Sequence, residues 1–191
     1  MTQVSLVPFS LSEPISFGRI TLRAMSESDV EAIHGWMSDP EVVRYLLYEP
    51  RARAEVLDKV REYSAALRLE KDGDYLQPVI VVQGEVVGLM YFKIVSTTDL
   101  TAEIGWTIAL QHQRNGYAFD AARAVLRLGF EVLGLRRVFA ELDPRNHASA
   151  ALCRRLGMRH EAHFVEAMLV KQEWTDSSIY AILHREWLAL Q

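Results

Sequence analysis

The sequence predicts a mixed α+β fold, and three observations support this prediction. Hydrophobic spacing typical of helices alternates along the chain with runs of β-branched and aromatic residues typical of strands. Two of the strand runs are joined by Gln83-Gly84-Glu85, which predicts an antiparallel hairpin. Further along, a strand-helix-strand-helix unit lies between antiparallel segments. The predicted order is therefore β-α-α-β-β-β-α-β-α-β-β, with a central, mostly antiparallel sheet.

In the first half of the chain, the helix starts and stops are marked by short polar signals. Ser26 and Asp29 have the spacing of a capping box, and Asp39-Pro40 ends the helix that they begin. The second helix is stopped by Asp72-Gly73-Asp74. The predicted elements of this half are a strand at 19–24, helices from 26 to 39 and from 52 to 69, and strands at 76–82 and 86–95.

The second half of the chain changes between the two periodicities several times. Its third strand run places Glu103, Gly105 and Thr107 on one face and Ile104 and Trp106 on the other. The predicted elements are a strand at 102–110, a helix at 116–133, a strand at 137–142, a helix at 148–156, and strands at 162–170 and 178–183. No repeat or linker divides the chain. We expect an extended N-terminal arm over 1–18 and a single domain over 19–187.

Composition excludes several classes of protein. Half of the 191 residues are apolar, which argues against intrinsic disorder. With 21 basic and 25 acidic residues, the formal charge of −4 argues against nucleic-acid binding through a broad basic face. The longest uncharged apolar run, Val86–Phe92, is too short to span a membrane. The single Cys153 and the lack of a basic residue before Arg19 predict a cytoplasmic protein without a signal peptide.

The segment Gln113-Arg114-Asn115-Gly116-Tyr117-Ala118 lies between a predicted strand and a long predicted helix. It lacks the Lys-Ser/Thr pair of an ATP-type phosphate loop and has one glycine where a dinucleotide fingerprint needs three. Gly116 allows a ligand close to the backbone, and the first amides of the helix are free donors at the positive end of its dipole. This arrangement is typical of an anion site, which Arg114, Arg123 and Arg145 could supplement. The same pattern also fits a plain turn in which Asn115 caps the helix.

At four places in order, the sequence resembles the GNAT superfamily of acetyl-CoA-dependent N-acetyltransferases, over roughly residues 19–187. Gln113-x-x-Gly116-x-Ala118 is similar to the coenzyme motif of that family. Glu103-Ile104-Gly105-Trp106 resembles the Glu-Ile-Gly-Tyr strand of the branch that acetylates the N-termini of ribosomal proteins. The remaining blocks are Leu133–Val138, and Asn146-x-x-Ser149 followed by Leu156-Gly157-Met158. Trp106, Asp120 and Met158 depart from the usual Tyr, Glu and Phe.

The resemblance implies direct attack of an amine on the thioester of acetyl-CoA. Glu103 is then expected to be the general base, and Ser149 to donate to the coenzyme sulfur. A backbone amide near Ile108 is expected to meet the oxyanion. The residues expected to bind the coenzyme are Ile108, Gln113, Arg114, Asn115, Gly116, Tyr117, Ala118 and Asn146.

Other features of the sequence have simpler interpretations. Tyr180 is an alternative proton donor, but its position favours a core tyrosine. His160 and His163 lack further ligands nearby, so we expect no metal site. The resemblance implies that the acceptor is a primary amine, of a protein N-terminus or of a small molecule such as an antibiotic or polyamine. A homodimer is compatible with the resemblance. The alternatives are a non-catalytic module that binds or senses acyl-CoA and a structural protein that reuses the fold.

Overall fold

The computed structural model describes residues 5–191, and its main feature is a nine-stranded mixed sheet. The strands are β1 (Phe9–Ser10), β2 (Ile15–Phe17), β3 (Ile20–Arg23), β4 (Arg68–Leu69), β5 (Tyr75–Leu76), β6 (Val79–Val82), β7 (Glu85–Ser96), β8 (Thr101–Ile108), β9 (Arg137–Leu142), β10 (Arg159–Val170) and β11 (Glu173–Leu183). The helices are α1 (Val30–Met37), α2 (Pro40–Val43), α3 (Arg53–Ala65), α4 (Tyr117–Arg127), α5 (His147–Arg155) and α6 (His184–Leu188).

The sheet is mostly antiparallel, which confirms the predicted fold class. Its order is β10-β11-β9-β8-β7-β6-β3-β2, with β5 paired to β7, while β1 and β4 form a separate two-stranded sheet. In the described part of the chain, β8 and β9 are the parallel neighbours, and they pair only where Thr101–Glu103 faces Arg137–Phe139. Beyond these residues the two strands diverge. A wedge-shaped opening therefore lies between the C-terminal ends of β8 and β9, in the middle of the sheet.

Helices cover the two faces of the sheet and create two apolar cores. On one face, residues of α4 and α5 pack against Ile104 and Ile108 of β8. On the other face, α1 and α3 pack against Leu89 and Ala109. Side chains alternate along a strand, so β8 directs even-numbered residues to the first core and odd-numbered residues to the second face. Glu103 and Trp106 therefore lie on opposite sides of the sheet.

The structure differs from the sequence prediction around the second helix. Helix α3 ends at Ala65 rather than at 69, because Arg68–Leu69 pairs with Phe9–Ser10 and Leu69 is fully buried. Helices α2 and α6 were not predicted; Asp39-Pro40, interpreted above as a helix stop, also begins α2, because Asp39 caps its first turn. Within the predicted arm, residues 1–4 lie outside the described residues. Strand β2 is hydrogen-bonded to β3, and the boundary of the domain at residue 19 stays a prediction.

Candidate active site

The opening between β8 and β9 exposes backbone groups of β8. Ala109 N donates to Val87 O at 3.0 Å, and Ile108 lies opposite Gly88 in the antiparallel register with β7. Hydrogen-bonded and non-hydrogen-bonded pairs alternate in such a ladder, so the N–H groups of Trp106 and Ile108 point away from β7. They point towards β9, which has already diverged. The strand thus directs backbone donors into the opening.

The turn before α4 has the geometry of an anion site. Gly116 is the N-cap residue with a φ of +82°, and no side chain accepts a hydrogen bond from the start of the helix. The side chain of Asn115 instead donates its Nδ2 to the carbonyls of His112 and Gln113, both at 3.1 Å. The interpretation of Asn115 as a helix cap is therefore wrong. Because the first amides of a helix have no partner within it, α4 presents free donors at its positive end.

Two side chains fix this turn to the rest of the fold. Gln113 Nε2 donates to Ile108 O at 3.1 Å and so connects the turn to the end of β8. Arg19 donates from Nε to Asp120 Oδ2 at 2.7 Å and from Nη2 to Asn115 O at 2.6 Å. Its guanidinium also lies 5.1 Å from the centre of the Tyr117 ring. Arg19 was not among the predicted site residues, since a sequence separation of 101 from Asp120 leaves no local signal.

Opposite the turn, α5 brings Ser149 to the opening. Asn146 caps this helix, because its side chain accepts from Ser149 N at 3.0 Å. The indole Nε1 of Trp106 donates to Ser149 Oγ at 3.2 Å and so connects β8 to α5 across the opening. This contact uses Ser149 Oγ as an acceptor and leaves its own hydrogen free to be donated. Trp106, which replaces the usual Tyr, thus fixes the orientation of the serine hydroxyl.

On the other face, Glu103 lines a cavity of about 210 Å³. The opposite walls of this cavity are the segment Arg44–Leu47 after α2 and the hairpin of β10 and β11. Burial raises the pKa of Glu103, and the negative charge of Glu141 adds to the rise, against an opposing effect of Lys93. A half-buried carboxylate with a raised pKa is a stronger proton acceptor than an exposed one.

The charges around the cavity are only partly compensated. Arg145 contacts Asp143 at 2.7 Å and Glu173 at 3.0 Å. Its guanidinium therefore does not supplement the anion site at Gly116, contrary to the sequence expectation. In residues 5–191, Glu103 and Glu141 have no salt-bridge partner, and Glu141 accepts from Ser177 Oγ at 2.6 Å. The cavity therefore presents negative charge next to the opening.

The remaining candidates lie apart from these groups. Arg123 packs its guanidinium 5.4 Å from the Trp187 ring. Tyr180 is buried, and its hydroxyl accepts from Arg154 at 3.2 Å, which agrees with a core tyrosine. Throughout residues 5–191, no group of three or more His, Cys, Asp or Glu is arranged to hold a metal ion. Over the same range, no helix combines the length and apolarity needed to cross a membrane.

Comparison with known proteins supports the resemblance to the GNAT superfamily that the sequence motifs indicate. The model of the acetyltransferase (GNAT) domain matches residues 19–159. The uncharacterized N-acetyltransferase YnaD of Bacillus subtilis is 32% identical over 181 residues, which cover 91% of this chain and 98% of YnaD. The chain belongs to the GNAT acetyltransferase family. A GNAT acetyltransferase structure from Bacillus anthracis superposes with a TM-score of 0.81 at 27% identity, over 91% of this chain and 99% of that one.

Two further GNAT structures share the fold and differ in what they acetylate. The ribosomal L7/L12 α-N-protein acetyltransferase RimL, in complex with coenzyme A, gives a TM-score of 0.77 at 20% identity, covering 90% of this chain and 98% of RimL. The spermidine N-acetyltransferase of Vibrio cholerae, in complex with coenzyme A and spermine, gives 0.74 at 22%, covering 89% and 98%. As a member of the GNAT acetyltransferase family, the chain is an acetyl-CoA-dependent N-acetyltransferase, and the two likenesses leave the class of amine open.

The residues present fit coenzyme A at the turn before α4. The free amides at Gly116 and the start of α4 suit the diphosphate. The φ of +82° favours glycine at residue 116, and a Cβ there would lie 2.8 Å from Arg19 Nη2 and displace that guanidinium from the turn. The opening beside Ile108 offers backbone donors to the pantetheine arm of the coenzyme, which would enter between β8 and β9.

Proposed function

We propose that this enzyme transfers the acetyl group of acetyl-CoA directly to a primary amine that enters through the Glu103 cavity. The observation that carries the proposal is the placement of two sets of groups on opposite faces of the sheet. The anion-binding turn and Ser149 lie on the α4 and α5 face, and Glu103 lies on the cavity face. Donor and acceptor can therefore meet only at the opening between β8 and β9.

In this mechanism, Glu103 holds the protonated acceptor and then takes one proton from its nitrogen. The neutral amine has the lone pair needed to form a bond to the thioester carbonyl carbon. The raised pKa of Glu103 favours the proton transfer, because burial makes its carboxylate more basic than an exposed one. The partly negative surroundings of the cavity also attract a cationic amine before the reaction.

Two further groups act on the donor side of the opening. The N–H of Ile108 is oriented to stabilise the oxygen that becomes negative when the carbonyl carbon turns tetrahedral. Ser149 donates a hydrogen bond from its free hydroxyl to the sulfur as the carbon–sulfur bond breaks, and the leaving thiolate takes up the second proton that the nitrogen loses on becoming the neutral amide. Gln113, Arg114, Asn115, Gly116, Tyr117, Ala118 and Asn146 remain our proposed contacts to the coenzyme.

Measurement of thiol release from acetyl-CoA tests this proposal with two acceptor sets, short aliphatic amines and peptides with a free N-terminus. We expect turnover with at least one set, and mass spectrometry of the product should locate one acetyl group on the amine nitrogen. Coenzyme binding without turnover on either set would contradict the transfer and support a sensing module. Absence of coenzyme binding would contradict the whole assignment.

A further inference from the structure

Two segments that line the Glu103 cavity and are far apart in sequence are joined by a hydrogen-bonded contact. Lys171, at the tip of the β10–β11 hairpin, donates its Nζ to Val43 O at 2.7 Å and to Arg44 O at 3.3 Å. Both carbonyls lie at the C-terminal end of α2, where an ammonium group is favourable. Within residues 5–191, no other hydrogen bond joins residues 38–50 to the hairpin. We call this contact the clasp.

The clasp joins the two walls of the cavity directly. The segment Arg44–Leu47 follows the carbonyls that Lys171 holds, and the strands on either side of Lys171 contribute Met168, Val170 and Thr175 to the lining. If the ammonium is removed, neither wall retains a hydrogen bond to the other. In residues 5–191, Lys171 therefore supplies the hydrogen bonds that hold the two walls together.

The backbone at the hairpin tip is held in an uncommon conformation that aims Lys171 at α2. Lys171 and Gln172 have φ values of +51° and +65°, the pattern of a type I′ turn. Asn and Gly are the usual residues there, since other side chains are strained at positive φ. The hydrogen bonds that Lys171 donates to the carbonyls of Val43 and Arg44 are a favourable contact that offsets this backbone strain.

The lining of the cavity indicates the chemistry of its occupant. Its volume of about 210 Å³ is smaller than the roughly 300–1,000 Å³ of pockets that hold drug-sized ligands. Leu46, Leu142 and Val170 provide apolar surface, whereas Glu103 and Glu141 carry negative charge without a salt-bridge partner in residues 5–191. These features match a short apolar chain that ends in an ammonium group.

We infer that the clasp of Lys171 makes this enzyme selective for short aliphatic amines by excluding the polypeptide that follows a protein N-terminus. The inference rests on the proposed function, because it assigns the Glu103 cavity to the acceptor. Lys171 acts as a positioning residue that holds the cavity walls together and does not touch the reacting atoms.

The test compares Lys171→Met with the matched control Lys71→Met, which removes an exposed lysine far from the cavity. The acceptors are 1,4-diaminobutane and a pentapeptide with a free N-terminus and an amidated C-terminus. The wild type should prefer the diamine. In Lys171→Met the ratio of the two kcat/KM values should fall at least tenfold, with an unchanged KM for acetyl-CoA. Lys171→Arg, which keeps a cationic donor, should restore part of the preference.

Hydrogen exchange gives a readout that does not depend on turnover. The amides of residues 44–47 should exchange faster in Lys171→Met than in the wild type and in Lys71→Met. An unchanged acceptor ratio, unchanged exchange, or a wild-type preference for the pentapeptide would each overturn the inference while leaving acetyl transfer intact. A wild type that acetylates neither acceptor would contradict the proposed function and the inference with it.

Discussion

The coenzyme side and the acceptor side of the site differ in how far apart their residues lie in the sequence. On the coenzyme side, Gln113 to Ala118 form one continuous turn, supported by the end of β8. On the acceptor side, the cavity combines the segment after α2, single residues of β8 and β9, and a hairpin near the C-terminus. A local motif can reveal the first arrangement, whereas the second exists only in the folded chain.

The difference also concerns what each side must recognise. In the proposed function, the turn binds a diphosphate through backbone amides, which depend on backbone conformation more than on side-chain identity. The cavity selects an acceptor through side chains and through the distance between its walls. Substitutions on the coenzyme side should therefore change the KM for acetyl-CoA, and those on the acceptor side should change turnover and acceptor choice.

The largest effect is expected from Glu103→Gln, because it removes the proton acceptor. General bases contribute typically about 100-fold to 10,000-fold to rate, so kcat should fall by at least about 100-fold. The KM for acetyl-CoA should stay near that of the wild type. In the wild type, kcat/KM should fall as the pH drops through the raised pKa of Glu103, and this acid limb should be absent from the variant.

Glu13→Gln is the matched control for this variant, since Glu13 is exposed and lies in the N-terminal segment. It should keep the wild-type rate and pH profile. A Glu103→Gln enzyme that retains a third or more of the wild-type kcat would show that another group takes the proton.

On the coenzyme side, Gly116→Val should raise the KM for acetyl-CoA by at least about tenfold and change kcat little. A β-branched residue is strongly disfavoured at a φ of +82°, so the turn must rearrange and its amides lose their alignment. Steady-state kinetics with varied acetyl-CoA measures the change.

Gly73→Val is the control for Gly116→Val, because it distinguishes damage to the coenzyme site from a general loss of stability. Gly73 has a φ of +88° with open space around it, and it lies outside the coenzyme turn. Both substitutions should lower the free energy of unfolding by roughly 1–2 kcal/mol, the usual cost of a left-handed conformation. An equal rise in KM for both variants would mean that the effect comes from instability.

Ser149→Ala is expected to lower kcat by about tenfold, because general acids of this kind contribute typically 100-fold at full strength and a thiolate needs only weak stabilisation. Trp106→Phe serves as the control, since it removes the hydrogen bond to Ser149 Oγ and keeps the hydroxyl. If both variants lose activity equally, Ser149 acts through its contact with Trp106 and does not donate to sulfur.

Arg19→Met should raise the KM for acetyl-CoA about threefold to fivefold by loosening the turn at Asn115 and Asp120. S-acetylpantetheine lacks the diphosphate, so its KM should be the same in the variant and in the wild type. Arg68→Met, at an exposed site distant from the turn, should leave both values unchanged. A parallel loss with both donors would indicate a general defect instead of a role at the diphosphate.

The fold was predictable from sequence wherever the signal was local. The strand predicted at 137–142 and the capping box of Ser26 and Asp29 agree with the structure because alternation and capping act over a few residues. The end of α3 was wrong because Leu69 pairs with the N-terminal segment instead of extending the helix. Arg19 and Lys171 were missed for the same reason, since their partners lie 96 to 128 positions away.

The smallest expected effect is on the free energy of unfolding, and it arises from Glu103 on the acceptor side. Glu103 has a pKa raised above its ordinary 4.5 by burial first and by Glu141 second, so its ionised form is disfavoured in the folded state. Its contribution to stability is complete below the ordinary pKa and is lost as the pH rises through the raised pKa. Glu103→Gln should therefore increase the free energy of unfolding at about pH 8 and bring no such gain at about pH 4. Urea unfolding of this variant and of Glu13→Gln at both pH values measures the difference, and an equal change at the two pH values would contradict the buried, charged base on which acceptor activation depends.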